Sequence, residues 1–395
     1  MTTVRGGTDT TPRDSSRSRR VMIVAGEASG DSYGADVVQQ ALLLDPGLRV
    51  FGIGGVRMRA AGVTTLVDSA DMAVMGLVEV LRHFSVISAA FRKLKNILQG
   101  DPPELLILID YPGFNIRLAH VAKKAGVKVL YYISPKVWAW KSGRIKSIAA
   151  SVDHIAVIFP FEVPLYQKAG LPVTFVGHPL LDMVDVRMKP DDAAISFGLD
   201  PDRKIVGLFP GSRRSEIERI LPTILDAAVR LQRQFPDLQF VLPLASTLQD
   251  GDLLPILAGV NIPVIITRER IHDLIRACDA IIAASGTVTL EIGLIGTPMV
   301  IVYRLAPLTY WLAKRLVKVR HIGLCNIVAG ETVVKELIQH DATPAAISAE
   351  MERILGNVLY ASEMKQRLSA VRSQLKCGGA SANVARLALS LMEPA

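Results

Sequence analysis

A chain of 395 residues with 45 Lys and Arg against 37 Asp and Glu carries a formal net charge of +8, and half of its residues are hydrophobic. That hydrophobic content excludes a mainly disordered chain, and the length favours two or three domains. Three widely spaced cysteines, Cys278, Cys325 and Cys377, exclude a disulfide framework and a cysteine-based zinc site, and fit a reducing compartment.

Residues 1–20 contain Arg5, Arg13, Arg17, Arg19 and Arg20 and no apolar run, so they read as a disordered basic tail and not as a secretory signal peptide. From Val21 onward, short apolar runs alternate with amphipathic segments. Strands are expected at 21–25, 50–53, 105–109, 127–133, 155–158 and 173–176, with a glycine turn at 26–31 and a helix through 35–44. Runs that are apolar on both faces, separated by helical patterns, indicate a parallel sheet covered by helices. Residues 179–203 carry Pro190, Pro201 and several aspartates and read as a linker. The alternation then restarts, with strands at 205–209, 239–242, 264–267, 280–284 and 299–303, a turn at 210–213 and a helix through 231. The most apolar stretch, 280–303, is interrupted by Glu291, and neither piece reaches the ~18 residues of a membrane span.

The expected fold class is therefore α/β, with two Rossmann-like, doubly wound domains facing across a cleft. The N-terminal domain covers 21–178, the linker 179–203, the C-terminal domain 204–365 and a helical segment 366–395. Ligands of such sheets bind outside the carboxyl ends of the strands, so the turns there hold the informative residues.

Ser285, Gly286 and Thr287 follow a strand and open a helix. A helix N-terminus offers unpaired N–H groups and about half a positive charge, which suits a diphosphate. Glu291, one turn inside on the face of Thr287, suits ribose hydroxyls; the alternative is an ordinary N-cap with a chance acid. At Pro210, Gly211, Ser212 and Arg213 the arginine suits bidentate phosphate binding, or else is a surface residue beside a capped helix. No Walker A loop and no G-x-G-x-x-G motif occurs.

In the first half, Gly26, Glu27, Ala28, Ser29, Gly30 and Asp31 form a tight loop after the first strand, where Asp31 either faces a ligand or caps the next helix. Asp110 ends another strand before Tyr111 and Pro112. It suits a general base that removes a proton from a hydroxyl nucleophile, or an aspartate that simply turns the chain. Asp250-Gly251-Asp252 formally matches a metal-binding D-x-D in a polar loop, but a metal-free site is the expectation, and no histidine spacing suggests a metal.

Apolar positions at spacings of three and four through 75–98, from Leu77 to Leu98, are interleaved with Arg82, His83, Arg92, Lys93 and Lys95. Residues 310–320 mix Tyr310 and Trp311 with Lys314, Arg315, Lys318 and Arg320. Both are either core-facing amphipathic helices or surfaces that lie on anionic lipid. Nucleic acid is not expected as a partner, since no binding motif occurs and only 6% of residues are aromatic.

Taken in order, VAGEASGD at 24–31, MAVMGLVEV at 72–80, IDYP at 109–112 with Phe114 and Asn115, SPKVWAW at 134–140, FPFE at 159–162, VGHP at 176–179, LFPGSR at 208–213, ASGT at 284–287 and NIVAG at 326–330 resemble the lipid-A-disaccharide synthase family. The resemblance implies a GT-B fold and an inverting, metal-independent transfer of 2,3-diacylglucosamine from UDP to 2,3-diacylglucosamine 1-phosphate. The product is a β(1→6) disaccharide, and UDP is released. No cofactor is implied, because the UDP-sugar is a substrate. By resemblance Asp110 is the base, Glu27 and Ser29 are catalytic-site residues, Arg213 with Gly211 and Ser212 meets the diphosphate, and Ser285, Gly286, Thr287, Glu291 and Asn326 bind the donor. Peripheral association with the inner face of the cytoplasmic membrane and a homodimer are also implied, with the helical segment 366–395 packing back or exchanged in the dimer. The chain departs from the family pattern at Tyr111, at Gly113 where an acid is common, and at Cys325 where proline is common. Two rival readings remain on the residues alone: another UDP-sugar enzyme, such as a 2-epimerase or a peptidoglycan-precursor N-acetylglucosaminyltransferase, or a non-catalytic lipid- or nucleotide-binding scaffold.

Overall fold

The computed structural model describes residues 19–72, 77–138, 143–245, 248–306, 310–311, 320–376 and 378–393. Most of the expected basic tail, the 73–76 portion of the MAVMGLVEV segment, Trp140 and most of the basic stretch 310–320 lie outside them.

The first sheet has seven strands: β1 Arg20–Ala25, β2 Arg49–Gly54, β3 Thr64–Asp68, β4 Leu105–Ile109, β5 Lys128–Tyr132, β6 His154–Val157 and β7 Val173–Phe175. Their order is β3-β2-β1-β4-β5-β6-β7, and β1 pairs in parallel with both β2 and β4. The second sheet has six: β8 Ile205–Phe209, β9 Gln239–Pro243, β10 Val264–Thr267, β11 Ala280–Ala284, β12 Met299–Tyr303 and β13 Glu336–Ile338, in the order β10-β9-β8-β11-β12-β13. Central strands such as β1, β4, β8 and β11 are buried almost along their whole length. Helices cover both faces of such strands, so each strand reads as an uninterrupted aliphatic run. β3 and β13 were not legible as strands: β3 is a half-exposed strand with two threonines, and β13 is only three residues long.

Each sheet reverses strand order beside its first strand, between β1 and β4 and between β8 and β11. Ligands of doubly wound sheets lie at that reversal. Parallel register aligns Ala25 with Ile109 and Phe209 with Ala283. The turn after Ala25 therefore adjoins the one that starts at Asp110, and the turn after Phe209 adjoins the one at Ser285.

By contacts the chain forms two compact units, one of residues up to Pro135 with Ser147–Ala156 and Ser381–Ala395, the other of Lys136–Lys146 with Val157–Ala380. The segment expected as a linker contains two short helices, Leu180–Met183 and Pro190–Ser196. It is tied down by Asp273, whose Oδ1 accepts the N–H groups of Arg187 and Met188 at 2.8 and 3.0 Å. At the C-terminus the helix Val358–Leu375 belongs to the second unit, whereas nearly all of Ala380–Met392 belongs to the first. There the Arg19 guanidinium donates to the Leu389 carbonyl at 3.3 Å. No helix among the described residues is long and apolar enough to cross a membrane.

Candidate active site

In the first unit, the helix Ala28–Leu44 starts inside the expected glycine loop, with Glu27 at its N-cap. Glu27 and Ser29 are exposed, and Glu27 makes no side-chain cap bond. Gly26 lies against the ring of Tyr111, and a Cβ there would sit 2.5 Å from Tyr111 Cγ. The Tyr111 hydroxyl donates to the Met72 carbonyl at 3.0 Å, and its phenol is pushed above its ordinary value by burial and then by the charge of Glu27. Asp110 is exposed at the carboxyl end of β4, with φ of +42°. Its N–H donates to the Tyr132 carbonyl at 3.1 Å, and its carbonyl accepts from Tyr131 Oη at 2.6 Å and Asn115 Nδ2 at 2.8 Å. A Cβ at Gly113 would meet open space, so an acid fits there sterically.

Asp31 does neither of the two things expected of it. It is buried inside the helix Ala28–Leu44. Its carboxylate accepts N–H groups from Gly55, Arg57 and Met58, capping the helix Val56–Ala60 of another segment. An acid there satisfies orphan amides at a helix start.

In the second unit a cavity of about 810 Å³ is lined by Gly211, Ser212, Arg213, Ser285, Gly286, Thr287 and Glu291, seven of the eight residues expected to bind the donor. Gly211 has φ of +116°, and a Cβ on it would meet Glu216 Oε2 at 2.4 Å. Glu216 organises this turn. Its Oε2 accepts the N–H groups of Ser212 and Arg213 at 3.0 and 3.3 Å, while Oε1 takes the Arg213 guanidinium at 2.9 Å. Arg213 is therefore held by a carboxylate at the cavity wall and does not project freely. Tyr303 ends β12 on the same wall, and burial, then Glu216, raise its phenol while Arg213 partly offsets this.

Gly286, in extended conformation, caps the helix Thr287–Ile295. Of its first-turn amides, that of Thr289 donates to the Gly286 carbonyl at 3.2 Å; amides at a helix start have no partner four residues back, and the macrodipole adds positive potential there. Thr289 Oγ1 donates back to the Gly286 carbonyl at 2.7 Å and fixes the turn. Glu291 Oε2 lies 3.4 Å from His272 Nε2.

Asn326, the eighth expected residue, is fully buried and is not on the cavity wall. Its Nδ2 donates to the Val334 carbonyl and to Glu336 Oε1, and its Oδ1 accepts from the N–H groups of Val333 and Val334. Glu336 in turn accepts the N–H groups of Ile322 and Gly323 at 2.9 and 3.0 Å. Together the two side chains brace the wall formed by His321, Ile322 and Leu324. Cys325 is buried, with Sγ 3.1 Å from the Thr289 carbonyl.

Sequence reasoning missed Glu216, His272, Tyr303, His321 and Glu336. For Glu216 a local signal existed, since an acid three residues after a helix start has capping-box spacing. Trp138 of the aromatic segment also lines the cavity; its Nε1 donates to buried Glu162 at 3.2 Å and its ring meets Phe161 edge-on. Asp250 and Asp252 start a helix and do not lie in a polar loop. Asp250 pairs with Arg268 at 2.7 Å, and Asp252 accepts the Gln249 N–H at 3.0 Å.

One unit presents a cavity lined by Arg213, Arg268 and the start of the helix Thr287–Ile295, and the other an exposed carboxylate at a strand end. A family model described as lipid-A-disaccharide synthetase matches residues 21–385. The chain is 65% identical over 377 residues to the lipid-A-disaccharide synthase of Trichlorobacter lovleyi, covering 95% of this chain and 98% of that protein. It is 58% identical over 375 residues to that of Geobacter sulfurreducens, with 95% and 98% covered. Among solved structures, UDP-GlcNAc 2-epimerase from Neisseria meningitidis bound to UDP-GlcNAc has a TM-score of 0.64 at 13% identity, covering 94% of this chain and 100% of that one. The calicheamicin glycosyltransferase CalG4 has a TM-score of 0.60 at 15% identity, covering 95% and 98%. These two likenesses are of fold, the pair of Rossmann-like domains found in GT-B glycosyltransferases. From the family match and the identity along nearly its whole length, the chain belongs to the lipid-A-disaccharide synthase family.

Proposed function

We propose that this enzyme transfers 2,3-diacylglucosamine from UDP to the 6-hydroxyl of 2,3-diacylglucosamine 1-phosphate, forming a β(1→6) bond with inversion. The observation that carries the reading at the level of the site is the cavity wall where the Gly211–Arg213 turn and the start of the helix Thr287–Ile295 meet. As the sugar leaves, charge develops on the UDP diphosphate, and preorganised donors aimed at that charge lower the barrier. Arg213 and the amides of Thr287 and Val288 supply these donors, joined by the Ser285 hydroxyl once it turns from the Ile322 carbonyl, which it meets at 3.4 Å. Glu291 accepts the ribose hydroxyls.

Asp110 takes the proton from the acceptor hydroxyl as the oxygen attacks the anomeric carbon. Its exposure at a strand end supports that role, and the neighbouring exposed Glu27 and Ser29 contact the acceptor. Removing a positioned base costs about 10²–10⁴ in rate. Asp110→Asn, assayed by mass spectrometry with the two lipid substrates, is expected to lose turnover in that range while keeping UDP affinity; an unchanged rate rejects the assignment. Consumption of UDP-N-acetylglucosamine in place of the diacylated donor would favour an epimerase-like activity instead.

Peripheral association with anionic lipid and assembly as a homodimer complete the proposal. In the helix Leu77–Gly100, Leu94 and Leu98 are buried while Arg92, Lys93 and Lys95 are exposed. Its last turns are thus an amphipathic helix on the core whose outer face is basic, which suits an anionic surface. Co-sedimentation with anionic but not zwitterionic vesicles, lost at high salt, tests the first part, and light scattering tests the second.

A further inference from the structure

Two consecutive residues that are not glycine, Asp110 and Tyr111, adopt left-handed backbone conformations, with φ of +42° and +45°. A Cβ makes that region unfavourable for L-residues, and such geometry persists only where the surroundings over-determine it. Here the surroundings are specific. Asn115, fully buried in the first turns of the helix Pro112–Lys124, donates through Nδ2 to the Ile109 carbonyl at 3.1 Å and to the Asp110 carbonyl at 2.8 Å. Both neighbours are acceptors, so the amide nitrogen has to face them. Tyr131, fully buried on the adjacent strand β5, donates its hydroxyl to the same Asp110 carbonyl at 2.6 Å. Pro112 adds a steric penalty against right-handed helix at Tyr111.

We propose that Asn115 and Tyr131 are positioning residues that set the direction of the Asp110 carboxylate by fixing its own carbonyl. A strand that continued past Ile109 would send the Asp110 side chain to the alternate face of the sheet. With the carbonyl turned back onto two buried donors, the chain enters the left-handed region and Asp110 stands exposed at the strand end. Neither donor touches a substrate. The inference rests on the proposed role of Asp110 as the base, and its test separates the two.

Tyr131→Phe removes one donor and keeps the ring, and Asn115→Leu removes the other at similar volume. A displaced reacting group costs up to about 10²-fold in rate. The expected result is a kcat lower by about tenfold in Tyr131→Phe and about 10²-fold in Asn115→Leu, with KM for both lipid substrates within about twofold. In an Asp110→Asn background neither substitution lowers the residual rate further, because both act through that carboxylate. An unchanged kcat, a rise in KM, or an equal loss in the Asp110→Asn background overturns the proposal. If Asn115→Leu does not fold, the Tyr131→Phe cycle carries the test alone. If Asp110→Asn by itself retains full turnover, the base assignment fails, and a crystal structure of Tyr131→Phe decides the positioning. An Asp110 φ that leaves the left-handed region upholds the constraint, and one that stays near its present value rejects it.

Discussion

His272 Nε2 lies 3.4 Å from Glu291 Oε2, while its Nδ1 accepts the backbone N–H of Asp185 at 3.1 Å. An imidazole nitrogen that accepts an N–H carries no proton, so in the neutral ring the proton sits on Nε2, the nitrogen nearer Glu291. His272 thereby flanks the carboxylate proposed to take the ribose hydroxyls. Calorimetry with UDP and with its 2′,3′-dideoxy analogue is expected to show a clear preference for UDP in the wild type and none in Glu291→Gln. In His272→Ala that preference shrinks by about three- to tenfold, as the carboxylate loses the polar neighbour 3.4 Å away. A His272→Ala enzyme that discriminates like the wild type contradicts the arrangement.

Gly211→Ala combines a φ of +116° with a Cβ placed 2.4 Å from Glu216 Oε2. The conformational part alone costs about 1–3 kcal/mol. Because Glu216 also holds Arg213, the variant is expected to lose UDP affinity together with stability, read by urea unfolding and by UDP titration. A variant as stable as the wild type shows that the turn tolerates a side chain.

Burial lowers the His178 imidazole to about 3, with its Nδ1 accepting the Leu180 N–H. The unfolded chain takes up this proton near 6.5, so the contribution of neutral His178 is complete above that pH and is lost as pH falls from about 6.5 towards 3. His178→Gln is therefore expected to lose less stability than the wild type across that window. Parallel acid profiles of the two proteins count against it.

The Cys325 thiol is pushed up to about 12 by burial, and Cys278 is raised still further by burial and the nearby Asp279. Since thiolates are the reactive form, neither should be alkylated in the native protein at pH 8, and both should be once it is unfolded. These raised values also make stability fall as pH rises above about 8.5–9 towards 12, because the unfolded thiols release their protons first. Peptide mapping after iodoacetamide treatment checks the labelling, and early native-state modification of either residue refutes it.

The parts of the fold that were legible are those where local pattern and final environment coincide. β1, β4, β8 and β11 are aliphatic because both faces are covered, and the strand-to-turn junctions at Gly26, Asp110, Gly211 and Ser285 follow directly from them. Seven of the eight residues expected to bind the donor reached the cavity wall with them; the eighth, Asn326, is buried behind it, held by Val333, Val334 and Glu336 seven to ten residues further on. A lone Asn followed by Ile and Val gives no hint of such a loop brace. Asp31 was opaque for the same reason at longer range, since its acceptor role depends on amides 24 to 27 residues away. β13 carries too few residues to show a period. Glu216 was within reach, at helix spacing from Arg213.

Asp31 sits two residues after Ser29 in a segment that looks dedicated to chemistry, yet its carboxylate ties the helix Val56–Ala60 to the helix Ala28–Leu44. A growth-scored mutational scan would flag it together with Glu27 and Ser29 as though all three met substrate. Scoring protein abundance alongside would split them, with Asp31 variants depleted as polypeptide and Glu27 and Ser29 variants present but idle.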